Sequence, residues 1–185
     1  MEDRRKKFDV HVLPYLDILY RAAVRLVGQK ADAEDLVQES CLRAFAGIDR
    51  LRDVESCKAW LFTIMRSTYL RRWEEDPYRA RVVGVENLEA TLGDMKEVLH
   101  DTYESDPPYL HVVGLEIQSA ISALPITFRE AVVLADVARL SYREMARVLE
   151  IPLGTVMSRL YRGRRMLRAT LSDYGSVRRP KLKAL

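Results

Sequence analysis

Apolar residues recur with the 3.6-residue period of an α-helix along most of this chain, and no segment alternates with the two-residue period of a β-strand. Amphipathic helices must bury their apolar stripes against one another, so this pattern predicts an all-α protein. The segments predicted to be helical are Val10–Val27, Asp32–Phe45, Lys58 to near Asp76, Val113–Leu124, Phe128–Ala135, Ser141–Leu149 and Thr155–Leu171.

Local signals mark where several of these helices begin and end. Asp32 is expected to cap the second helix, and Ser141 with Glu144 has the spacing of a capping box. Pro125 is expected to end the helix before it. Residues 46–57 lose the helical period and are predicted to be a loop, with Ile48 turned inward.

Charge divides the chain into parts of opposite sign. Residues 1–81 carry 16 basic and 14 acidic side chains, residues 82–112 carry one and seven, and residues 113–185 carry 13 and six. We therefore predict two small helical domains, 1–81 and 113–174, joined by a flexible acidic linker, 82–112, and followed by a basic tail, 175–185. A basic C-terminal domain indicates a polyanionic partner.

Nothing in the sequence predicts insertion into a membrane. The longest run without a charged side chain is the twelve residues Ile117–Phe128, interrupted by Pro125. About 20 apolar residues are needed to span a bilayer. The charged N-terminus has no apolar signal core behind it, so we expect a cytoplasmic protein.

The sequence also offers no metal, cofactor or catalytic site. Cys41 and Cys57 lack zinc-ligand spacing; Cys41 is expected to be buried, and Cys57 to lie in a loop as a spare thiol. His11, His100 and His111 accompany no recognisable nucleophile. We predict a protein that is not an enzyme.

The last two predicted helices have the arrangement of a helix-turn-helix. Ser141–Leu149 and Thr155–Leu171 are joined by a short turn that contains Pro152 and Gly154. The second helix carries Arg159, Arg162, Arg164, Arg165 and Arg168 and no acid between Thr155 and Ser172. Such a helix can enter the major groove and contact guanine edges or phosphates, although a basic face that is merely solvated is the alternative.

Residues 124–168, from Leu-Pro-Ile-Thr-Phe-Arg-Glu-Ala to the second helix, resemble region 4 of the group IV, or extracytoplasmic-function, sigma factors. In that family, region 4 recognises the minus-35 promoter element. The resemblance implies the following DNA-binding residues: Thr155, Ser158, Arg159, Tyr161, Arg162, Arg164 and Arg165.

The N-terminal half resembles sigma region 2, a helical bundle, through residues 31–39, 42–45 and 59–64. In the family, the polar face of the Asp-Ala-Glu-Asp-Leu-Val-Gln-Glu helix docks on the β′ clamp helices of RNA polymerase. The resemblance therefore assigns binding of core RNA polymerase to Asp35, Gln38 and Glu39. The alternative is that these three residues form a solvated surface.

The loop Leu51–Cys57 and the helix after it correspond to the family's minus-10 recognition and melting elements. Bases of an opened strand stack on aromatic side chains, each contributing about 1–3 kcal/mol, while basic groups follow the backbone. The resulting candidates are Arg52, Asp53, Ser56, Lys58, Arg66, Tyr69 and Arg71.

Together these resemblances imply a sigma factor that directs promoter-specific transcription initiation. The implied partners are core RNA polymerase, through its β′ clamp helices and β flap, promoter DNA, and an anti-sigma factor in a stress or envelope response. The acidic linker would thread through the polymerase or act as a plain tether. An ordinary helix-turn-helix regulator is the main alternative, and a DNA-processing enzyme with a terminal helix-turn-helix is a weaker one.

Overall fold

The computed structural model describes residues 2–51, 53–74 and 114–177. The predicted linker and the last eight residues of the predicted tail lie outside these ranges. Within them the all-α prediction is confirmed, because every regular element is helical. The α-helices are α1 Glu2–His11, α2 Leu16–Val27, α3 Lys30–Gly47, α4 Cys57–Glu74, α5 Gly114–Ala123, α6 Ile126–Val132, α7 Tyr142–Leu149 and α8 Leu153–Val177.

The single first helix predicted over Val10–Val27 is wrong. The charged N-terminus is itself helical as α1, and a short 3₁₀ turn, Leu13–Tyr15, separates it from α2. Pro14 explains the break, since it lacks a backbone N–H and its ring clashes with the preceding helical turn. α1 then packs back on the bundle, where the rings of Phe8 and Phe45 meet edge to face at 5.5 Å.

The predicted start of the second helix is also wrong. α3 begins at Lys30 after Gln29, so Asp32 lies in the first turn and not at the cap position. α2 ends at Val27, and its C-cap is Gly28, whose φ of 86° is the left-handed conformation that glycine adopts without strain.

The predicted loop over residues 46–57 is shorter than expected. α3 continues to Gly47, a 3₁₀ turn follows at Ile48–Arg50, and α4 begins at Cys57. Ile48 is 2% exposed, as its inward position predicts.

The C-terminal helices follow the predicted order with shifted ends. α6 passes into a π-helical turn, Val133–Val137, before the chain reaches α7. The apolar face of α8 is formed by Val156, Leu160 and Leu167, which are fully buried. Their spacing of four and seven residues lies on one helical face, which explains why α8 packs on α6 and α7.

The N-terminal module (residues 2–74) and the C-terminal module (residues 114–177) share one hydrophobic core. α2 packs on α5 and on the π-helical turn, and α4 packs on α7. The two predicted domains therefore contact each other directly in this structure.

Candidate nucleic-acid and partner interfaces

The helix-turn-helix is built around a capped α7. The backbone N–H of Glu144 donates to Ser141 Oγ at 3.3 Å, and the Ser141 N–H donates to Glu144 Oε2 at 2.7 Å. This reciprocal pair confirms the predicted capping box. At the other end, Glu150 adopts φ 57° and reverses the chain before α8. The cap fixes the start of α7, and the left-handed residue ends it just before α8.

All of the predicted minus-35 residues lie on α8, the predicted recognition helix. Arg165 is exposed, and the other members of that set are partly buried. Ser158 Oγ donates to the Thr155 carbonyl at 3.1 Å, which holds its hydroxyl against the helix. The structure brings onto one helix Thr155, Ser158, Arg159, Tyr161, Arg162, Arg164 and Arg165.

Arg164 differs from the other arginines of α8. Its Nη2 donates to Asp136 Oδ1 at 2.6 Å, and the Asp136 side chain is only 6% exposed. Asp136 lies in the π-helical turn, 28 residues earlier in the chain. Because both side chains are largely buried, this ion pair holds α8 against the π-helical turn.

A close approach of two backbones fixes α8 against α6 at Gly163. A Cβ atom there would lie 2.8 Å from Val132 Cγ2 and 3.2 Å from the Phe128 carbonyl oxygen. Only glycine allows this separation without displacement of α6. No local sequence signal predicts this contact, since Gly163 lies within a helical segment.

The surface predicted to bind polymerase comprises Asp35, Gln38 and Glu39 on α3, and we call it the polymerase face. Its residues differ in how freely a partner could reach them. Asp35 and Gln38 are exposed. Glu39 is partly buried: its Oε2 accepts from Arg72 Nε at 3.0 Å, and its Oε1 pairs with Arg71 and Arg43. Asp35 and Gln38 can therefore meet a partner directly, whereas Glu39 is committed to a cluster of arginines.

The charge on Glu39 is stabilised by that cluster. Burial raises the pKa of the Glu39 carboxyl, but the Arg72 hydrogen bond and the positive charges of Arg71, Arg72 and Arg43 outweigh it and lower the pKa overall. Two of these arginines lie on α4, so Glu39 joins α3 to α4. The sequence placed Glu39 and Arg71 in two different interfaces, and the structure pairs them.

The turn before α4 holds two predicted minus-10 residues against each other. Ser56 Oγ donates to Asp53 Oδ2 at 2.6 Å, and the Glu55 N–H donates to Asp53 Oδ1 at 3.0 Å. These two hydrogen bonds lower the pKa of Asp53, the Ser56 hydroxyl having the larger effect. The hydrogen bonds of Asp53 thus stabilise the turn that leads into α4. Arg52 lies outside the described residues.

The remaining minus-10 candidates on α4 are not free to meet DNA in this arrangement. Tyr69 is 2% exposed, so its ring belongs to the core here and presents no face for base stacking. Lys58 Nζ donates to the Arg139 carbonyl at 3.1 Å, and Arg66 Nε donates to Glu130 Oε1 at 2.9 Å. Both acceptors belong to the C-terminal module.

Both cysteines depart from the prediction, Cys57 in its position and Cys41 only in the extent of its burial. Cys57 is a buried first residue of α4, and its Sγ donates to the His11 carbonyl at 3.2 Å; the loop position expected for it is wrong. Cys41 is only partly buried. Burial raises the pKa of both thiols, which lowers the fraction of reactive thiolate.

Two absences concern the described residues alone. They contain no group of three or more His, Cys, Asp or Glu side chains arranged to hold a metal ion. Among the same residues, none of the helices combines the length and apolar character that crossing a bilayer requires.

The fold defines a class: a helical protein whose C-terminal module contains a helix-turn-helix. Comparison with known families identifies the class more closely. The Sigma-70 region 2 family matches residues 11–76, and the Sigma-70, region 4 family matches residues 114–167. These are the two modules of the structure, in the same order.

Individual relatives agree with the family match. The chain is 34% identical over 172 residues to the ECF RNA polymerase sigma factor SigE of Mycolicibacterium smegmatis, a match covering 91% of this chain and 63% of that relative's length. It is 33% identical over 169 residues to the ECF RNA polymerase sigma factor SigW of Bacillus subtilis, covering 86% of each. The chain therefore belongs to the ECF sigma factors of the sigma-70 family, which are transcription initiation factors and not enzymes.

Solved structures have the same fold. The sigma factor RpoE, crystallised with the anti-sigma factor NepR from Bartonella quintana, is 27% identical with a TM-score of 0.69, covering 90% of this chain and 98% of that one. CnrH, in complex with the cytosolic domain of CnrY, is 24% identical with a TM-score of 0.58, covering 90% and 88%.

Proposed function

We propose that this protein binds core RNA polymerase through the polymerase face of α3 and directs transcription initiation at promoters whose minus-35 element is recognised by α8. The observation that carries the proposal is the presence of both sigma modules in one chain. A lone helix-turn-helix regulator would lack the exposed Asp35 and Gln38 on a region 2 helix.

The DNA-binding part of the proposal is supported by the geometry of α8. Arg159 and Arg162 lie three residues apart, on neighbouring turns of one helical face. Guanidinium groups on such a face can pair bidentately with guanine edges in the major groove. Arg164 is better suited to hold the helix in place, because Asp136 occupies its guanidinium.

The minus-10 part of the proposal requires a change of arrangement. Arg66 and Lys58 contact the C-terminal module, so a strand could follow α4 only after that module moves away. Asp53 and Ser56 lie outside those contacts and are suited to shape a recognition loop.

We further propose control by an anti-sigma factor, in the cytoplasm where the polymerase acts. Support comes from RpoE and CnrH, both solved with a second protein bound, NepR and the cytosolic domain of CnrY respectively. A stress or envelope response remains the biological setting expected from the resemblance.

Run-off transcription tests the proposal. Purified chain is added to core RNA polymerase from the source organism with pooled genomic fragments, and the products are sequenced. Discrete transcripts that require both the chain and core polymerase are expected. High-affinity binding to a specific duplex without polymerase, together with no chain-dependent transcripts, would favour the ordinary regulator.

A further inference from the structure

Glu39 lies on the polymerase face, but its carboxylate is already surrounded by arginines of its own chain. Oε2 accepts from Arg72 Nε at 3.0 Å and lies 2.9 Å from Arg72 Nη2. Oε1 pairs with Arg71 and lies 3.1 Å from Arg43 Nη2. A carboxylate offers about four acceptor sites. Since four guanidinium nitrogens lie against this one, a polymerase group could bind Glu39 only by displacing an arginine.

The arginine cluster, defined as Arg43, Arg71 and Arg72, is held together by this single carboxylate. The three guanidinium groups come from two helices, α3 and α4, and like charges at such short range repel one another. The arginines outnumber the carboxylate, so the cluster keeps a net positive charge. Each arginine side chain is between 36% and 48% exposed. The cluster therefore combines a fixed geometry with a positive surface that a phosphate group can reach.

Arg72 also ties α4 to the backbone of the polymerase face. Its Nη2 donates to the Asp35 carbonyl at 3.1 Å, one helical turn before Glu39. Arg72 thus contacts α3 at two points, a carboxylate and a carbonyl, and both contacts fix the direction of its guanidinium. An arginine held in this way loses less side-chain freedom when it binds a ligand.

We propose that Glu39 is a positioning residue for promoter DNA: it holds Arg71 and Arg72 where they meet the phosphate backbone beside the minus-10 element, and it acts through them and not by contacting polymerase. Arg72 then joins Arg71 as a residue that binds the DNA backbone. Arg43 completes the set of charges around the carboxylate. This inference rests on the function proposed above.

Glu39 affects DNA binding in two ways of opposite sign, and one substitution separates them. Glu39→Gln removes a negative charge, so electrostatic attraction alone predicts tighter binding of DNA and a steeper salt dependence. Loss of positioning predicts the reverse. The template is a promoter found by run-off transcription, with its minus-10 segment left unpaired. We expect polymerase complexes that contain Glu39→Gln to bind this template severalfold more weakly than wild type, with a shallower salt dependence.

Asp17→Asn is the matched control. It removes the same charge from an exposed carboxylate on α2, whose partner Arg21 lies on the same helix. Template binding by this variant should be unchanged or slightly tighter. Affinity for core polymerase, measured by titration of the labelled chain, should remain at the wild-type level in Glu39→Gln. Circular dichroism and urea denaturation establish that the variants are folded.

Arg72→Gln shows whether Glu39 acts through the arginine cluster. This substitution alone should weaken template binding severalfold and make the salt dependence shallower, because a phosphate contact is lost. Adding Glu39→Gln to Arg72→Gln should then cost less than it does in the wild-type chain, since one of the two residues that Glu39 positions is gone. Arg72→Gln also tests the inference by itself if Glu39→Gln does not fold.

Three results would overturn the inference: template binding by Glu39→Gln that is as tight as wild type or tighter, a clear loss of core polymerase affinity in the same variant, or unchanged template binding by Arg72→Gln. Each of them, obtained beside an active wild-type complex, would leave the proposed function standing. If the wild-type chain itself bound no core polymerase, the proposed function would be wrong and this inference would fail with it.

Discussion

Arg164 and Asp136 form a hydrogen-bonded ion pair at 2.6 Å that ties the recognition helix to the π-helical turn beneath it. Arg164 resembles its arginine neighbours in sequence, but its guanidinium faces a buried carboxylate and not the open side of α8. The pair therefore separates an arginine that supports the helix from the arginines that we propose to contact DNA.

Replacing Arg164 should reduce stability more than promoter discrimination. Arg164→Ala leaves Asp136 buried without this partner, and such a loss costs about 1–3 kcal/mol of unfolding free energy. Urea denaturation checks this, with exposed Arg165→Ala as the matched control. A normal unfolding midpoint together with loss of binding only to intact minus-35 templates would make Arg164 a base-reading residue.

Arg159→Ala should weaken binding of the polymerase complex to an intact minus-35 element by about 1–3 kcal/mol, with a smaller loss on a scrambled element. The same is expected of Arg162→Ala. Titrations at several salt concentrations provide the measurement. Equal loss on both templates, with a salt slope reduced by about one, would assign these residues to phosphate contacts.

Gly163→Ala should destabilise the C-terminal module by about 1–3 kcal/mol, because the added methyl group meets Val132 and the Phe128 carbonyl. Gly154→Ala is the control, since a methyl group there would point into open space and alanine favours the helix. Thermal unfolding of both variants gives the comparison. If the two substitutions changed the thermal stability equally, α6 would have to move readily to make room for the methyl group at position 163.

Reversing charge at Asp35 should impair polymerase binding without unfolding the chain. Asp35 is exposed, so Asp35→Arg alters the surface and little of the core. Exposed Asp17→Arg on α2 is a control of equal charge change outside this face. Glu39→Arg is a poorer test, because it would also place a fourth cation among Arg43, Arg71 and Arg72. If folded Asp35→Arg bound polymerase with wild-type affinity, the polymerase face would be merely a solvated surface.

Acid should weaken the capping box. Burial raises the pKa of Glu144, but its hydrogen bonds from Ser141 and the charges of Lys58 and Arg147 lower it overall. A lowered pKa means that the stabilisation is fully present above the unfolded pKa of about 4.3 and is lost as the pH falls through the folded-state value.

Glu144→Ala should therefore destabilise the chain at pH 7 by about 0.5–2 kcal/mol, and the difference from wild type should shrink towards pH 3. Urea denaturation between these two pH values measures the difference in unfolding free energy. A difference that does not change with pH would assign the effect of Glu144 to packing and not to its charge.

Much of the fold could be predicted from local pattern. The stripe of Val156, Leu160 and Leu167 predicted a buried helix face, and Ser141 with Glu144 predicted a cap, because helix periodicity and capping depend on residues only a few positions apart. Pro14 carried a similar local signal for the break between α1 and α2. The charged α1 was missed, although Arg5–Asp9 and Lys7–Asp3 have the i,i+4 spacing of ion pairs on a helix.

The candidate surfaces were only partly predictable for the same reason. The exposed Asp35 and Gln38 follow from the polar face of one helix, and the arginines of α8 follow from another. The pairing of Arg164 with Asp136, of Arg66 with Glu130 and of Glu39 with Arg72 joins residues 28, 64 and 33 positions apart. Sequence spacing alone determined which side chains share a helix face, whereas only tertiary packing decided which charges meet across helices, because desolvation and pairing depend on three-dimensional proximity.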